Sequence, residues 1–462
     1  MTPVRKPWLH LFWALPSILV FLVVVFYLIS NLQGRAVWES VLQELAAKGE
    51  TIDVDELLGP EPPTESNVAR HPFWTSKEAQ ELTRAAEANS ALLKSLPLLP
   101  TLKPLDVTSA MKLVGLESSG NEANDIRQLR AFFETMRSPW YVPLQEAISR
   151  SEAVWLTNRN FPINSPLISQ PLFESSKMLA MLCLFALLDG DQEQAMEGLH
   201  SLDRLVDVIT VPGSALHHLI ASVTLKYMLG TIAYGLEFGM WRTSDLLALD
   251  SVLAKKQIRN WMRIVLQSER AILLTSVMYS PSRTFAGGSR SASLEGWLGS
   301  ILQTMRPSGW DFEDRAFSAM NTQQMIDVLN NDSVLDWSSK IKESEIELDG
   351  WLNQVRYPIS FAVGDSLKNI APGLGMLETQ IHLTRVAIAL ELAKQQSGEF
   401  PSTIEDLQVP DPSLLIDPFS NKPWRYRRDG DRYRLYSVGP NRVDDDGKSN
   451  PRMQHSLDWV FR

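Results

Sequence analysis

Apolar positions along this chain fall into three regimes. From Leu11 to Ile29 nineteen residues pass without a charge, and as a helix they extend about 28 Å, close to the thickness of a bilayer's hydrocarbon core. The pattern predicts a membrane-spanning helix over 11–32, behind a short tail, 1–10, that carries Arg5 and Lys6. Basic flanks stay on the cytoplasmic side, so the amino terminus is expected in the cytoplasm and the bulk of the chain outside it, at the plasma membrane. A cleaved signal peptide is the alternative, with Gly34, Arg35 and Ala36 at a suitable spacing. The apolar run is longer than the usual signal core, which favours a retained anchor.

After the anchor the period becomes that of amphipathic helices. Val37, Val41, Leu42 and Leu45 share a face, so the helix is expected to continue as a stalk and to stop at Gly49. A Pro-rich linker, Gly59 to Asn67, breaks regular structure, and His71-Pro-Phe-Trp74 reads as a hydrophobic plug that ends the 33–74 stalk and linker. Over 75–374 the periodicity predicts helices at Ser76–Leu96, Asn121–Arg137, Leu144–Leu156, Leu172–Leu188, Gln192–Ile209, Ala215–Phe238, Ser244–Tyr279, Leu294–Met305, Asp311–Asn330 and Val334–Leu352, with a loop at Pro281–Ser293. Leu179 to Asp191, followed by Ala195, Leu199 and Leu202, reads as a helical hairpin turning at Gly190-Asp191, similar to a tetratricopeptide unit. No period of about 34 residues recurs, so an irregular array of helical hairpins is expected, a shape suited to holding another polypeptide.

The third regime begins after Ala371-Pro-Gly-Leu-Gly375 and fills 375–462. A helix at Met376–Gln396 and a turn at Phe400-Pro401 precede strand-like alternation in Trp424–Arg428 and Tyr433–Val438, with Asp429-Gly430 as the hairpin turn and Ser456–Phe461 as a last strand. The fold class is mainly α: an N-terminal transmembrane helix, an irregular α-helical-hairpin domain, and a small α+β C-terminal module with an antiparallel sheet.

Composition narrows the function. A net charge of −10 and a pI near 5.4 speak against nucleic acid, because phosphate binding needs a clustered cationic face. The arginines at 425, 427, 428, 432 and 434 are read as the exposed side of the sheet. Cys183 is the only cysteine, so neither a disulfide framework nor a cysteine zinc site forms within one chain. Ser109-Ala-Met-Lys112 has the Ser-x-x-Lys spacing of exported acyl-transfer enzymes, and Ser119-Gly120-Asn121 loosely follows their second motif, but no Lys-Thr-Gly element is present. His217 and His218 are helical neighbours whose side chains diverge by about 100°, so they do not clasp one metal. The function expected is a non-catalytic, membrane-anchored scaffold for protein association or envelope structure. The alternative is an extracytoplasmic hydrolase with a carboxylate site in the helical domain.

Two stretches carry resemblances. Trp38-x-x-Val41-x-x-Glu44-Leu45, the Lys48-Gly49-Glu50 stop, the Pro-rich linker and His71-Pro-Phe-Trp74 resemble the opening of a group of bacterial single-pass membrane-anchored proteins to which no activity is attached. The order Gly398-x-Phe-Pro-x-Thr403, Asp417-Pro-Phe419, Trp424-x-Tyr426 and Tyr433-x-Leu-Tyr-Ser-Val-Gly-Pro-Asn441 resembles the globular part of type II secretion major pseudopilins. That resemblance implies a calcium ion in the loop after Ser-x-Gly, with Asn441, Asp444, Asp445 and Asp446 as the matching residues. Asn441 stands where the family has an aspartate. The residues alone allow two readings of the loop, since consecutive aspartates are relieved either by a hard cation or by water. More than 300 residues separate anchor from module, which implies a borrowed module rather than a filament subunit. The partners expected are membrane lipid through 11–32 and a protein of the envelope.

Overall fold

The computed structural model describes residues 8–96, 104–155, 166–274, 305–331, 353, 356–439, 441–448 and 459–461. The chain is mainly α and divides into two units: Met1–Leu57, Arg270–Asn330 and Lys340–Ile370 form one, and Leu58–Glu269, Asn331–Ser339 and Ala371–Arg462 the other. The predicted helices at Leu294–Met305 and Val334–Leu352 and the loop at Pro281–Ser293 lie outside the described residues, Met305 excepted.

In the first unit α1 runs from Trp8 to Ala47 with Pro16 inside it, so the apolar run and the segment after it are one helix. It ends where Gly49 takes a left-handed conformation (φ 71°), with Gly49 N–H donating to Ala46 and Glu50 N–H donating to Leu45. Those paired bonds satisfy carbonyls that a helix end leaves open. A second helix, Ser308–Asn331, crosses α1 almost without side chains between them. A Cβ on Gly34 would lie 2.1 Å from the Gly309 carbonyl oxygen, and one on Gly309 would lie 1.9 Å from that of Ser30. Asn31 caps the crossing helix, its Oδ1 accepting from Gly309 N–H (2.7 Å) and from the Ser308 hydroxyl (3.0 Å).

The predicted stalk is therefore not free. Val41 and Leu45 are buried in a cluster with Leu274, Ala316 and Ala319, because the apolar face of the helix has a partner far along the chain. Arg270 lies fully buried in the same unit and donates to Glu50 (2.6 Å), Gln323 (2.6 Å) and the Thr51 carbonyl (3.2 Å).

The second unit opens on the Pro-rich segment, and here too irregular backbone is held. Asn67 is buried, and its Oδ1 accepts from Ala69 and Val154, while Val68 N–H donates to Glu152. Phe73 and Trp74 are buried as the plug predicts, Trp74 against Trp155 at 5.6 Å between ring centres. Of the remaining elements, α2 is Val54–Leu58; α3 Lys77–Ala88, α4 Ser90–Leu93, α5 Val107–Leu113, α6 Glu122–Arg137 and α7 Tyr141–Ile148 precede the core helices. The core is α8 Pro166–Leu188, α9 Gln192–Ile209 and α10 Ala215–Glu237, packed on one another.

The α8–α9 hairpin turns at Gly190 (φ 80°) as its sequence predicts. Asp191 caps α9 through Gln194 N–H, and Arg130 of α6 clamps the turn by bonds to Asp189 and Asp191, both 2.5 Å. Gly198 lets the helices touch: a Cβ there would lie 2.3 Å from Cys183 Sγ. Burial pushes the Cys183 thiol well above its ordinary pKa, so this is a packing cysteine.

The single helix predicted at Ser244–Tyr279 breaks into α11 Thr243–Ala254 and α12 Ile258–Ile272, with Lys256 at the break paired to Asp203 and Asp207. The first-unit helix Ser308–Asn331 is α13. α14 runs unbroken from Pro358 to Ser397, so the Ala371–Gly375 segment, read as a boundary, is helix interior. After it β1 (Ile416–Asp417) pairs antiparallel with β2 (Lys422–Pro423), and β3 (Arg425–Asp429), β4 (Arg432–Ser437) and β5 (Trp459–Phe461) form an antiparallel sheet in that order. The β3–β4 loop is Gly430-Asp431, with Gly430 at φ 59°. Phe400, Leu414, Trp424, Tyr433 and Leu435 are buried beneath the strands.

Candidate functional site

The loop singled out for metal binding follows β4 and lies on the sheet. Asp444 accepts from Arg425 Nε (2.8 Å) and the Tyr436 hydroxyl (3.0 Å). Partial burial works to raise its pKa, but the bonds from Arg425, the Asp446 N–H and Tyr436 outweigh it and hold the carboxyl below its ordinary value. Asp445 accepts from the Asn441 side-chain amide at 3.1 Å, and the Asp446 carbonyl accepts from Arg434 Nη1 at 3.2 Å. The four residues are thus neighbours: Asp444 faces Arg425 and Tyr436, Asp445 is bonded to Asn441, and Asp446 gives its main-chain carbonyl to Arg434. Among the described residues no three His, Cys, Asp or Glu side chains come together to hold a metal ion. With arginine already balancing the loop, millimolar calcium is expected to leave the melting temperature unchanged. A rise with calcium that EDTA reverses would put the ion in the loop.

The Asp417-Pro-Phe motif beside these strands is structural. Asp417 is buried and accepts from Phe419 N–H, Val438 N–H and the hydroxyls of Ser420 and Ser437. Burial raises its pKa in spite of those four bonds. Asp417-Pro-Phe and the serine of Ser-x-Gly are far apart in sequence, and this carboxyl is what ties them together.

The residues with an acyl-transfer spacing are also committed elsewhere. Ser109 Oγ donates to Asp106 (2.7 Å), which also accepts Ser109 N–H as the cap of α5. Ser118 and Ser119 both donate to Asp125, and Asn121 caps α6. Ser-x-x-Lys here is a helix start. The partly buried carboxyls of the helical unit serve different partners: Asp203 pairs with Lys256, Glu269 accepts from Ala215 N–H, and Glu378 faces Arg259. Burial raises the pKa of all three.

The histidine pair sits in the core. His217 stacks on Trp155 at 5.5 Å and shares a hydrogen bond with Ser214. Burial lowers its pKa to about 4; burial, with His217 beside it, lowers His218 to about 3. Burial likewise takes His382 on α14 to about 4, with Arg385 adding to the effect. Sequence spacing discards these histidines as ligands but does not reveal that they are buried neutral.

That burial has a consequence for acid stability. Below pH 6.5 the unfolded chain accepts protons that the folded imidazoles resist. Each histidine therefore subtracts up to about 1.4 kcal/mol per pH unit as pH falls from about 6.5 toward its folded value. The raised carboxyls act oppositely, contributing stability at low pH that is lost as pH rises through their folded values. His218→Leu isolates the histidine contribution. Its melting temperature is expected to fall less than that of the parent between pH 6.5 and 4, and equal slopes would reject the assignment.

Two of the hollows among the described residues are well formed. One, of about 580 Å³, runs between α11, the last turns of α14 and the 399–410 segment, lined by Leu247, Asp250, Arg385, Leu392, Asp406 and Val409. Its charges are engaged: Arg385 donates to Asp250 at 2.8 Å, and Asp406 accepts from Thr403 N–H at 3.0 Å. The second, of about 390 Å³, lies in the first unit between Val37, Phe317, Met320 and Tyr357, with Arg356 bound to Glu313 at its wall. Compared with known proteins, the chain matches no protein family, no curated protein and no solved structure.

Proposed function

We propose that this chain is a single-pass membrane protein, held by residues 11–32 with its amino terminus in the cytoplasm, and that its exported regions associate with another protein of the envelope. The observation that carries the anchor is the direction in which apolar surface faces. The hydropathic window of α1 is 11% buried, whereas those of α8 and α10, also long and apolar enough to span, are 78% buried. Phe21, Leu22, Ile29 and Leu32 stand 65%, 56%, 49% and 70% exposed. Covering such side chains recovers about 1.5–3 kcal/mol each, and lipid is the medium that covers a helix on all sides.

The ring pair at the end of the apolar run supports the same reading. Phe26 meets Trp310 at 6.2 Å, and the Tyr27 hydroxyl bonds the Met305 carbonyl. Tyrosine and tryptophan favour the membrane–water boundary. Association is supported by the helical hairpins and the pseudopilin-like sequence order of the C-terminal region, and by the structural employment of Ser109, Asp125 and the histidines.

Thr2→Cys and Ser402→Cys test the orientation, since the native Cys183 is buried. A membrane-impermeant maleimide is expected to label Ser402→Cys in intact spheroplasts and Thr2→Cys only after lysis. The reverse pattern overturns the reading.

A further inference from the structure

We propose that the open face of the β3–β4 hairpin docks an acidic polypeptide segment of a protein partner, its arginines pairing with successive carboxylates. The proposal rests on the association reading above and gives it a site. Alternation along the strands sends Arg425, Arg427 and Asp429 of β3 and Arg432, Arg434 and Tyr436 of β4 to one face. Tyr433, Leu435 and Ser437 on the other face are buried.

The register sets Arg427 directly opposite Arg434, and Asp429 opposite Arg432. The second pairing is favourable; the first places like charges across from each other, which weakens a hairpin unless an anion comes between them.

One end of this face already shows what it accepts. The Asp444 carboxylate is seated between Arg425 Nε (2.8 Å) and the Tyr436 hydroxyl (3.0 Å), and the Asp446 carbonyl is taken by Arg434 at 3.2 Å. Gly447, at φ 67°, lets the loop lie flat: a Cβ there would meet Arg434 Cδ at 2.9 Å and the Tyr436 ring at 3.4 Å. The chain's own acidic loop is thus a bound example of the ligand class.

Among the described residues, none covers the rest of the face. Arg427 and Arg432 are exposed, and among the described residues neither has an ion-pair partner. A carboxylate-rich segment crossing them would repeat the Asp444 contact and relieve the Arg427–Arg434 repulsion. The bound example combines a side-chain carboxylate with a main-chain carbonyl two residues on. A peptide presents those groups at that spacing and a lipid headgroup does not, which favours protein over membrane as the occupant.

The full chain in phosphatidylcholine nanodiscs, titrated with fluorescein-labelled hexaglutamate and read by anisotropy, tests this. The parent is expected to bind, and binding is expected to weaken as salt rises, since exposed charges are screened. Arg427→Glu with Arg432→Glu is expected to reduce affinity about tenfold or more, while Arg427→Lys with Arg432→Lys, which keeps the charge, loses less. Circular dichroism checks the fold, and Arg427→Gln with Arg432→Gln replaces the first variant if it misfolds. Absence of binding by the parent, or equal binding by parent and charge-reversed variant, overturns the proposal. So does arginine-dependent binding to phosphatidylglycerol vesicles without binding to hexaglutamate, which would make the occupant a membrane. Maleimide labelling of Ser402→Cys is independent of this assay, so failure here with labelling intact removes the docking face and leaves the anchor standing.

Discussion

Replacing Gly309 by valine is expected to destabilise the first unit by about 3 kcal/mol or more, at the upper end of what overpacking costs. The added atoms meet main chain rather than a yielding side chain: the Cβ position lies 1.9 Å from the Ser30 carbonyl oxygen and 2.7 Å from Asn31 N. Relief requires α13 to move off α1, which also breaks the Asn31 bonds to Gly309 N–H and the Ser308 hydroxyl. That leaves the first turn of α13 without its cap, a further loss of about 1 kcal/mol. Gly34→Val should act alike, because its Cβ would meet the Gly309 carbonyl oxygen at 2.1 Å. Gly373→Ala is the control. It lies within α14 with nothing within 4 Å of its Cβ position, so it should be neutral or gain about 0.5–1 kcal/mol from backbone entropy. Thermal unfolding in detergent micelles, followed by circular dichroism, measures all three. A Gly309→Val protein that melts with the parent would show that the two helices do not cross there.

Glu50→Ala is expected to cost about 3–5 kcal/mol, because it leaves the Arg270 guanidinium charged in a dry interior. The side chains of the pair are 0% and 3% exposed and 2.6 Å apart. Gln323 and the Thr51 carbonyl would keep two of the bonds but supply no charge. The pair as a whole is worth far less than either half suggests. Arg270→Met combined with Glu50→Leu removes both charges and should recover most of the loss, since burying two ions costs nearly what their attraction returns. Urea unfolding of the two single variants and the double variant completes the cycle. Single-variant losses below about 1 kcal/mol would mean that water reaches the pair.

These two sites explain where a linear reading stops. Helices and their ends are legible because their causes are local. Asp191 and Asn121 cap through donors three residues on, and Gly49 and Gly190 stop helices by adopting a conformation other residues resist. The β3–β4 hairpin is legible for the same reason, although Asp429, read as part of the turn, closes β3 opposite Arg432 and the loop is Gly430-Asp431. Over Ser244–Tyr279 the local signal is continuous and misleads. Lys256 is drawn to Asp203 and Asp207 on α9, and the helix breaks beside it. Ala371-Pro-Gly-Leu-Gly375 misleads in the opposite sense, since Pro372 and two glycines look like a break in what is helix interior.

The aspartates after β4 show the same division at the candidate site. Their repulsion is visible in three consecutive letters, but the nature of the relief is not. Arg425 lies nineteen positions from Asp444, and only strand register brings the two together.

By itself the sequence determined the helical class of the chain, most helix positions, the turns of the α8–α9 and β3–β4 hairpins, and the presence of one charge-free run long enough to span a bilayer. Each follows from side-chain periodicity or from bonds within a few residues. Tertiary structure decided which apolar helices turn inward, that the supposed stalk is welded to α13 through Gly34, Gly309 and Asn31, and that arginine meets the acidic loop. Those outcomes depend on which distant surfaces fit at contact distance, and no spacing along the chain contains that information.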